Sequence, residues 1–199
     1  LAGRVVGLLG RNGAGKSTLL QTACGLILAT AGTCTTLGRP CAALDAAELT
    51  RLGFVAQENR FLTWMTVQQQ LRFQASCYPG WDRAREQRLL RDLELDPTRK
   101  IIELSTGDQK KLGLILAVCH RPQLLLLDEP MSALDPIVRA RLMTFLLDLI
   151  REDGATIVVS THILGDVEKI VDWVVFLQRG KLTLNTALDE LQEAYSEWV

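Results

Sequence analysis

In the stretch GRNGAGKST, Gly10 to Thr18, glycines at 10, 13 and 15 lead directly into Lys16, Ser17 and Thr18. Glycine lets the backbone curl until several N–H groups, here those from Asn12, Gly13, Ala14 and Gly15 onward, face one anion. Lys16 is then placed to reach the β and γ phosphates of a nucleotide, and Ser17 to offer its hydroxyl to Mg2+. A second chemical group stands far downstream in QLLLLDEP, residues 123–130. Asp128 there is the metal-side carboxylate, and Glu129 is the group that could polarise or deprotonate an attacking water. Isolated residues gain meaning from their positions. Gln57, in GFVAQE, could touch metal or water through its amide; Asp135, in MSALDP, follows soon after the acidic pair; His162 closes TIVVSTH. A histidine sharing a sheet edge with Lys16 and Glu129 can reach a γ phosphate, whereas His120, just before Arg121 and Pro122, has only a structural reading.

These groups need particular elements to hold them. RVVGLL (4–9) is a short apolar strand, followed by the glycine loop and by a helical pattern through Leu19, Leu20, Cys24 and Leu28. Strand, loop and helix in that order are the context in which such a loop binds phosphate. The four consecutive leucines before Asp128 suit a central parallel strand covered on both faces. Its carboxyl end is where ligands bind in open α/β sheets. LSTGDQKK (104–111) reads as a helix start, with Ser105 as cap and Asp108 answering it three residues on. The same helix tip presents unpaired N–H groups and a partial positive charge, so Ser105 and the Gly107 amide could also grip an anion.

Composition excludes several classes. The chain has 199 residues, 48% hydrophobic and 23% charged, with a net charge of −1, which fits one globular domain and gives no overall attraction to nucleic acid. Its five cysteines are scattered, with no C-x-x-C pair, which favours reduced thiols over a disulfide framework or a zinc site. The most apolar stretches are too short or too interrupted for the about 20 residues of a membrane span. The chain opens on Leu1 without a signal pattern, so its true start is expected upstream.

The order of the motifs resembles one family, the ATP-binding cassette (ABC) ATPases. GRNGAGKST, Gln57, LSTGDQKK, LLLLDEP, SALD and STH match that family's phosphate loop, glutamine loop, signature, acidic strand, D-loop and switch histidine in sequence. The resemblance implies an α/β fold of the P-loop NTPase type, a mostly parallel sheet flanked by helices with a small inserted helical subdomain. It divides 1–199, a single ABC ATPase domain, into a nucleotide-binding core (1–57 and 110–199) and a helical part (58–109). It implies ATP and Mg2+ as ligands. Catalytic roles fall to Glu129, His162, Lys16 and Gln57, nucleotide contacts to Asn12 through Thr18, Ser105, Gly107 and Asp135, and metal contacts to Ser17, Gln57 and Asp128. In the family, the signature helix of one subunit faces the γ phosphate held by the other. Ser105 would therefore cap its helix in the free subunit and meet phosphate in a closed homodimer or heterodimer.

The sequence departs from the family pattern at several places. The usual signature has glycine at Thr106 and glutamine at Asp108; a carboxylate in the first turn suits the helix but repels phosphate, and Lys110 and Lys111 are expected to offset it. The first aromatic is Phe54, so a base-stacking ring ahead of the phosphate loop is lacking, at about 1–3 kcal/mol of nucleotide affinity by analogy with base stacking. The antiparallel strands that precede Leu1 in the family are missing, leaving 32–38 as an expected exposed strand without neighbours. The helical part carries VQQQLRFQAS and DRAREQRLLRDLEL around a YPGW turn, with Arg83, Arg85, Arg88 and Arg91 read as a solvated face. RFLTWMTV (60–67) falls where the resembled transporters contact a membrane partner. The reading is thus an ATPase subunit driving a membrane permease, exporter-like, lying in the cytoplasm against the inner face of the membrane. Its rival is a soluble ABC ATPase acting on DNA or the ribosome, although no nucleic-acid partner is expected. The tail reads as a hairpin turning at Gly180 and a closing amphipathic helix.

Overall fold

A computed structural model describes residues 2–132 and 134–196 of the chain. The first apolar run forms β1 (Val5–Leu9), buried at every position, and the glycine loop leads from it into α1 (Lys16–Ala23). Then comes a small hairpin, β2 (Thr35–Thr36) antiparallel to β3 (Arg39–Pro40). The expected lone strand over 32–38 thus finds a partner within the chain. The reversal is made at Leu37 and Gly38, both at positive φ (52° and 81°), the backbone that a tight two-residue hairpin turn requires.

The remaining elements are α2 (Ala46–Leu49), β4 (Leu52–Val55), α3 (Val67–Ser76), α4 (Arg83–Asp92), α5 (Thr106–Val118), β5 (Leu124–Asp128), α6 (Pro136–Asp153), β6 (Thr156–Thr161), β7 (Trp173–Gln178), β8 (Lys181–Ala187) and α7 (Leu188–Ser196). One sheet runs β4-β5-β6-β1-β7-β8, with every neighbour parallel except the β7–β8 pair, which is a hairpin turning at Arg179 and Gly180. This is the mostly parallel, helix-flanked sheet that the strand–loop–helix pattern predicts. Its central strands are covered on both faces. Leu125, Leu127, Ile157 and Val159 join the core with α5 and α6, while Leu8 and Leu126 pack toward Leu20 and Cys24 of α1 and its cap. That two-sided burial is why β5 reads as unbroken leucine.

Residues 58–109 hold α3 and α4 on either side of the YPGW turn, each with a side-chain cap, Thr66 and Asp82. One arginine of the expected solvated face is misplaced by that reading. The Arg85 side chain is only 3% exposed and is ion-paired with Asp153 at 2.5 Å, tying α4 to the end of α6. Helical spacing shows which residues share a face but not that a neighbouring helix ends against it.

α5 crosses from the helical part into the core and is buried on all sides from Leu112 to Val118. Ser105 caps it as expected, its Oγ accepting the Asp108 N–H at 3.1 Å. The Asp108 carboxylate goes elsewhere, to Arg99 at 3.2 Å and Lys111 at 3.0 Å. Lys111 therefore offsets Asp108 as foreseen, but Lys110 does not, because its side chain turns inward and donates to the Glu129 carbonyl at 2.8 Å.

Candidate functional site

The glycine loop connects the end of β1 to the start of α1, and its conformation depends on two residues at positive φ, Gly13 (78°) and Gly15 (103°). Gly10 is needed for a different reason. A Cβ there would lie 2.5 Å from the Leu177 carbonyl oxygen, so the loop can lie against β7 only with glycine at this position. The Gly180 N–H donates to the Ala14 carbonyl at 3.0 Å, fastening the β7–β8 turn to the loop from the other side. Asn12 and Gly13 are exposed at the tip, Ser17 is half-buried and Thr18 exposed. Lys16 is buried, at 6% exposure, with its Nζ donating to the Gly10 carbonyl at 2.7 Å.

Sheet order brings the distant acidic pair to this loop. β6 lies between β1 and β5, and its Ser160 is in register with Leu8 on one side and Asp128 on the other. Asp128 is fully buried; Ser160 Oγ donates to its Oδ1 at 2.6 Å and accepts the Glu129 N–H at 3.0 Å. Among the described residues Asp128 Oδ2 has no hydrogen-bond partner. Glu129 sits at φ 49°, a left-handed conformation that costs energy for a residue with a side chain. It is held there by three side-chain bonds, to Ser160 Oγ through its N–H and from Lys110 Nζ and Ser132 Oγ to its carbonyl, and by the Ser132 N–H. The Glu129 carboxylate is thereby aimed between Lys16 and His162, with Oε1 3.2 Å from Lys16 Nζ and Oε2 3.1 Å from His162 Nδ1. Burial pushes the Lys110 ammonium below its ordinary value, against the pull of Glu129 and Asp128.

Lys16, Asp128, Glu129 and His162 are therefore assembled in one place from two strand ends and a helix start. Gln57 is not joined to them: it is exposed in the bend after β4, and among the described residues no hydrogen bond links it to that group. Asp135 is the N-cap of α6, accepting from the Ile137 and Val138 N–H groups. Ser105 is exposed and Gly107 half-buried at the start of α5, and neither contacts Lys16 or Glu129 within the chain. Ser160 and Lys110 were missed by sequence reasoning. Ser160 was visible only as the residue two before His162, and Lys110 only as one of two consecutive lysines.

The donors suit a hard cation. Asp128 Oδ2 is a buried carboxylate oxygen with an open valence, and the Ser17 hydroxyl and Gln57 amide are oxygen donors of the kind Mg2+ takes, usually with substrate phosphates completing its shell.

Comparison with known proteins agrees with this geometry. The family model described as ABC transporter matches residues 1–132. The chain belongs to the ABC transporter family. It is 34% identical over 200 residues to the ABC transporter ATP-binding protein YtrB of Bacillus subtilis, covering 97% of this chain and 66% of that protein. It is 31% identical over 193 residues to the bacitracin transport ATP-binding protein BcrA of Enterococcus faecalis, covering 96% of this chain and 63% of the relative. With the probable multidrug ABC transporter ATP-binding protein YbhF of Escherichia coli it shares 33% over 195 residues, 96% of this chain but 33% of the relative. The chain thus spans a third to about two thirds of these ABC proteins. Among solved structures, the ATP-binding subunit of an ABC transporter superposes with a TM-score of 0.87 at 28% identity, covering 98% of this chain and 83% of that one. A dimeric ATP-binding cassette in a post-hydrolysis state, bound to ADP and Pi, gives 0.82 at 28% identity, covering 94% and 87%.

Proposed function

We propose that this ABC chain binds and hydrolyses ATP, pairs with a second ATP-binding subunit when ATP is present, and powers a membrane permease. The observation that carries the reading is the Glu129 carboxylate, held in a strained backbone between Lys16 and His162 at the mouth of the phosphate loop. In this arrangement the loop N–H groups from Asn12 to Thr18 take the phosphates, and Lys16 leaves Glu129 for the β and γ oxygens. Glu129, released from that ion pair, accepts hydrogen bonds from the attacking water. His162 would hold the γ phosphate side, and Asp135, at the N-cap of α6, would add a nucleotide contact. Bound Mg2+ would be held by Ser17, Gln57 and Asp128 and would neutralise charge developing on the transferred phosphate.

The signature helix start supports pairing. Ser105 is exposed at the tip of α5, and a helix start presented in this way suits the γ phosphate of another subunit. The core (1–57 and 110–199) would hold the nucleotide and the helical part (58–109) would present that tip. A permease seat is favoured near 60–67, where the Trp64 side chain is 72% exposed. Leu26, Leu49 and Phe54 line a cleft of about 230 Å³. Among the described residues no helix is long and apolar enough to cross a membrane. Relatives named for multidrug and bacitracin transport favour an exporter.

The test is Glu129→Gln. ATP turnover should fall by about 100-fold or more, the usual weight of a positioned base, while ATP binding persists and the dimer accumulates in size-exclusion chromatography. Undiminished turnover would remove Glu129 from the water-activating role.

A further inference from the structure

The hairpin β2–β3 carries a pair of thiols that nucleotide chemistry leaves unused. Cys34 and Cys41 occupy the rung next to the Thr35–Pro40 pair, and the Cys41 N–H donates to the Cys34 carbonyl at 2.9 Å. Residues directly opposed across an antiparallel pair point to the same side. Their sulfur atoms lie 2.7 Å apart, about 0.7 Å beyond the S–S bond length of about 2.0 Å. Cys41 is buried whereas Cys34 is partly accessible, so a reagent arriving from solvent meets Cys34 first. The hairpin is also seated on the phosphate-loop helix. Gly25, just past the end of α1, faces the Cys41 carbonyl so closely that a Cβ there would lie 2.5 Å from it.

The geometry points to a modification site: Cys34 and Cys41 form a reversible disulfide by exchange with a low-molecular-weight disulfide. The Cys34 thiol loses its proton and attacks one sulfur of the small disulfide, releasing one small thiolate and leaving a mixed disulfide on Cys34. Cys41 then loses its proton, attacks the Cys34 sulfur and displaces the second small thiolate. Two protein thiols are oxidised, one small disulfide is reduced to two thiols, and the two protons end on those thiols. Burial and the hydrogen bond with Cys41 push the Cys34 thiol up to about 11, so the first step starts from a small thiolate fraction. The first step is therefore slow at neutral pH. The second is favoured by proximity, because the attacking sulfur is already next to its target. The crosslink closes the hairpin against the end of α1.

The exposed Cys77 and buried Cys24 and Cys119 serve as internal comparisons. The protein is incubated with oxidised glutathione, alkylated, digested without reduction and mapped by mass spectrometry. The expected product is a linked Cys34–Cys41 peptide, two hydrogens lighter than its reduced form and restored by dithiothreitol, while Cys77 carries glutathione. Cys41→Ser should trap glutathione on Cys34, and Cys77→Ser should leave the crosslink intact. Accumulation of glutathione on Cys34 in the unaltered protein would overturn the proposal. So would free, alkylated Cys34 and Cys41 after Cys77 has been fully modified.

Discussion

Ser160→Ala tests whether β6 holds the acidic pair in place. Ser160 is fully buried, and its single hydroxyl serves two neighbours: it donates to Asp128 Oδ1 at 2.6 Å and accepts from the Glu129 N–H at 3.0 Å. Truncation leaves a fully buried carboxylate with neither oxygen bonded, since Oδ2 already lacks a partner among the described residues. A lost bond to a charged group costs about 1.5–3 kcal/mol, and an orphaned buried N–H about 1–3 more. Some of this is recovered by relaxation or entering water, so the expected loss is about 3–4 kcal/mol. With a urea slope of about 3 kcal/mol/M for a domain of this size, the denaturation midpoint should fall by about 1 M. ATP turnover should fall as well, because the strained Glu129 backbone loses one of its three side-chain anchors. The decisive measurement is a double-mutant cycle with Asp128→Asn. If Ser160 acts through the Asp128 charge, its removal should cost less in the Asn background, with a coupling of at least about 1 kcal/mol. A midpoint shift below about 0.3 M, or costs that simply add, would refute the reasoning.

Two further perturbations test the packing and the charge network. At Gly53 in β4, a Cβ would lie 2.4 Å from the Ala117 carbonyl oxygen and 2.8 Å from Leu125 Cδ1. Gly53→Ala should therefore destabilise by about 3 kcal/mol, lowering Tm by about 6–12 °C; an unchanged melting curve would mean that β4 and α5 can move apart freely. Asp82 caps α4, and the Arg85 N–H, opposed by burial and reinforced by Arg121, holds its carboxyl below the usual range. Such a group stabilises the fold when ionised, fully above the ordinary carboxylate value of about 3.9 and decreasingly as pH falls through the lower folded value. Asp82→Asn should cost about 1 kcal/mol near neutrality. Chemical denaturation should show that deficit narrowing as pH falls below about 4, and a deficit independent of pH would sink the assignment.

Local chemistry in the sequence determined a good deal. The glycine loop between a strand and a helix, the leucine run into Asp128 and Glu129, the Ser105 cap, the YPGW turn and the hairpin at Gly180 all rest on interactions within a few residues of chain, and each takes the form its spacing predicts. The candidate residues were legible for the same reason, since Lys16 closes the glycine loop and Asp128, Glu129 and His162 end or follow apolar runs that suit central strands.

Tertiary structure decided which partners those residues have. Placing β6 between β1 and β5 makes Ser160 the link between the loop strand and the acidic strand, and no spacing along the chain encodes that neighbour. Lys110 and Lys111 are adjacent in sequence and alike in chemistry, yet one turns to Glu129 and the other to Asp108, because α5 is buried on the side that Lys110 faces. Arg85 was indistinguishable from its solvated neighbours until α6 was seen to end against it. Cys34 and Cys41 became a pair only when the chain reversed at Leu37 and Gly38. Periodicity specifies the direction a side chain leaves its own element, whereas what it meets is fixed by the order in which separate elements pack.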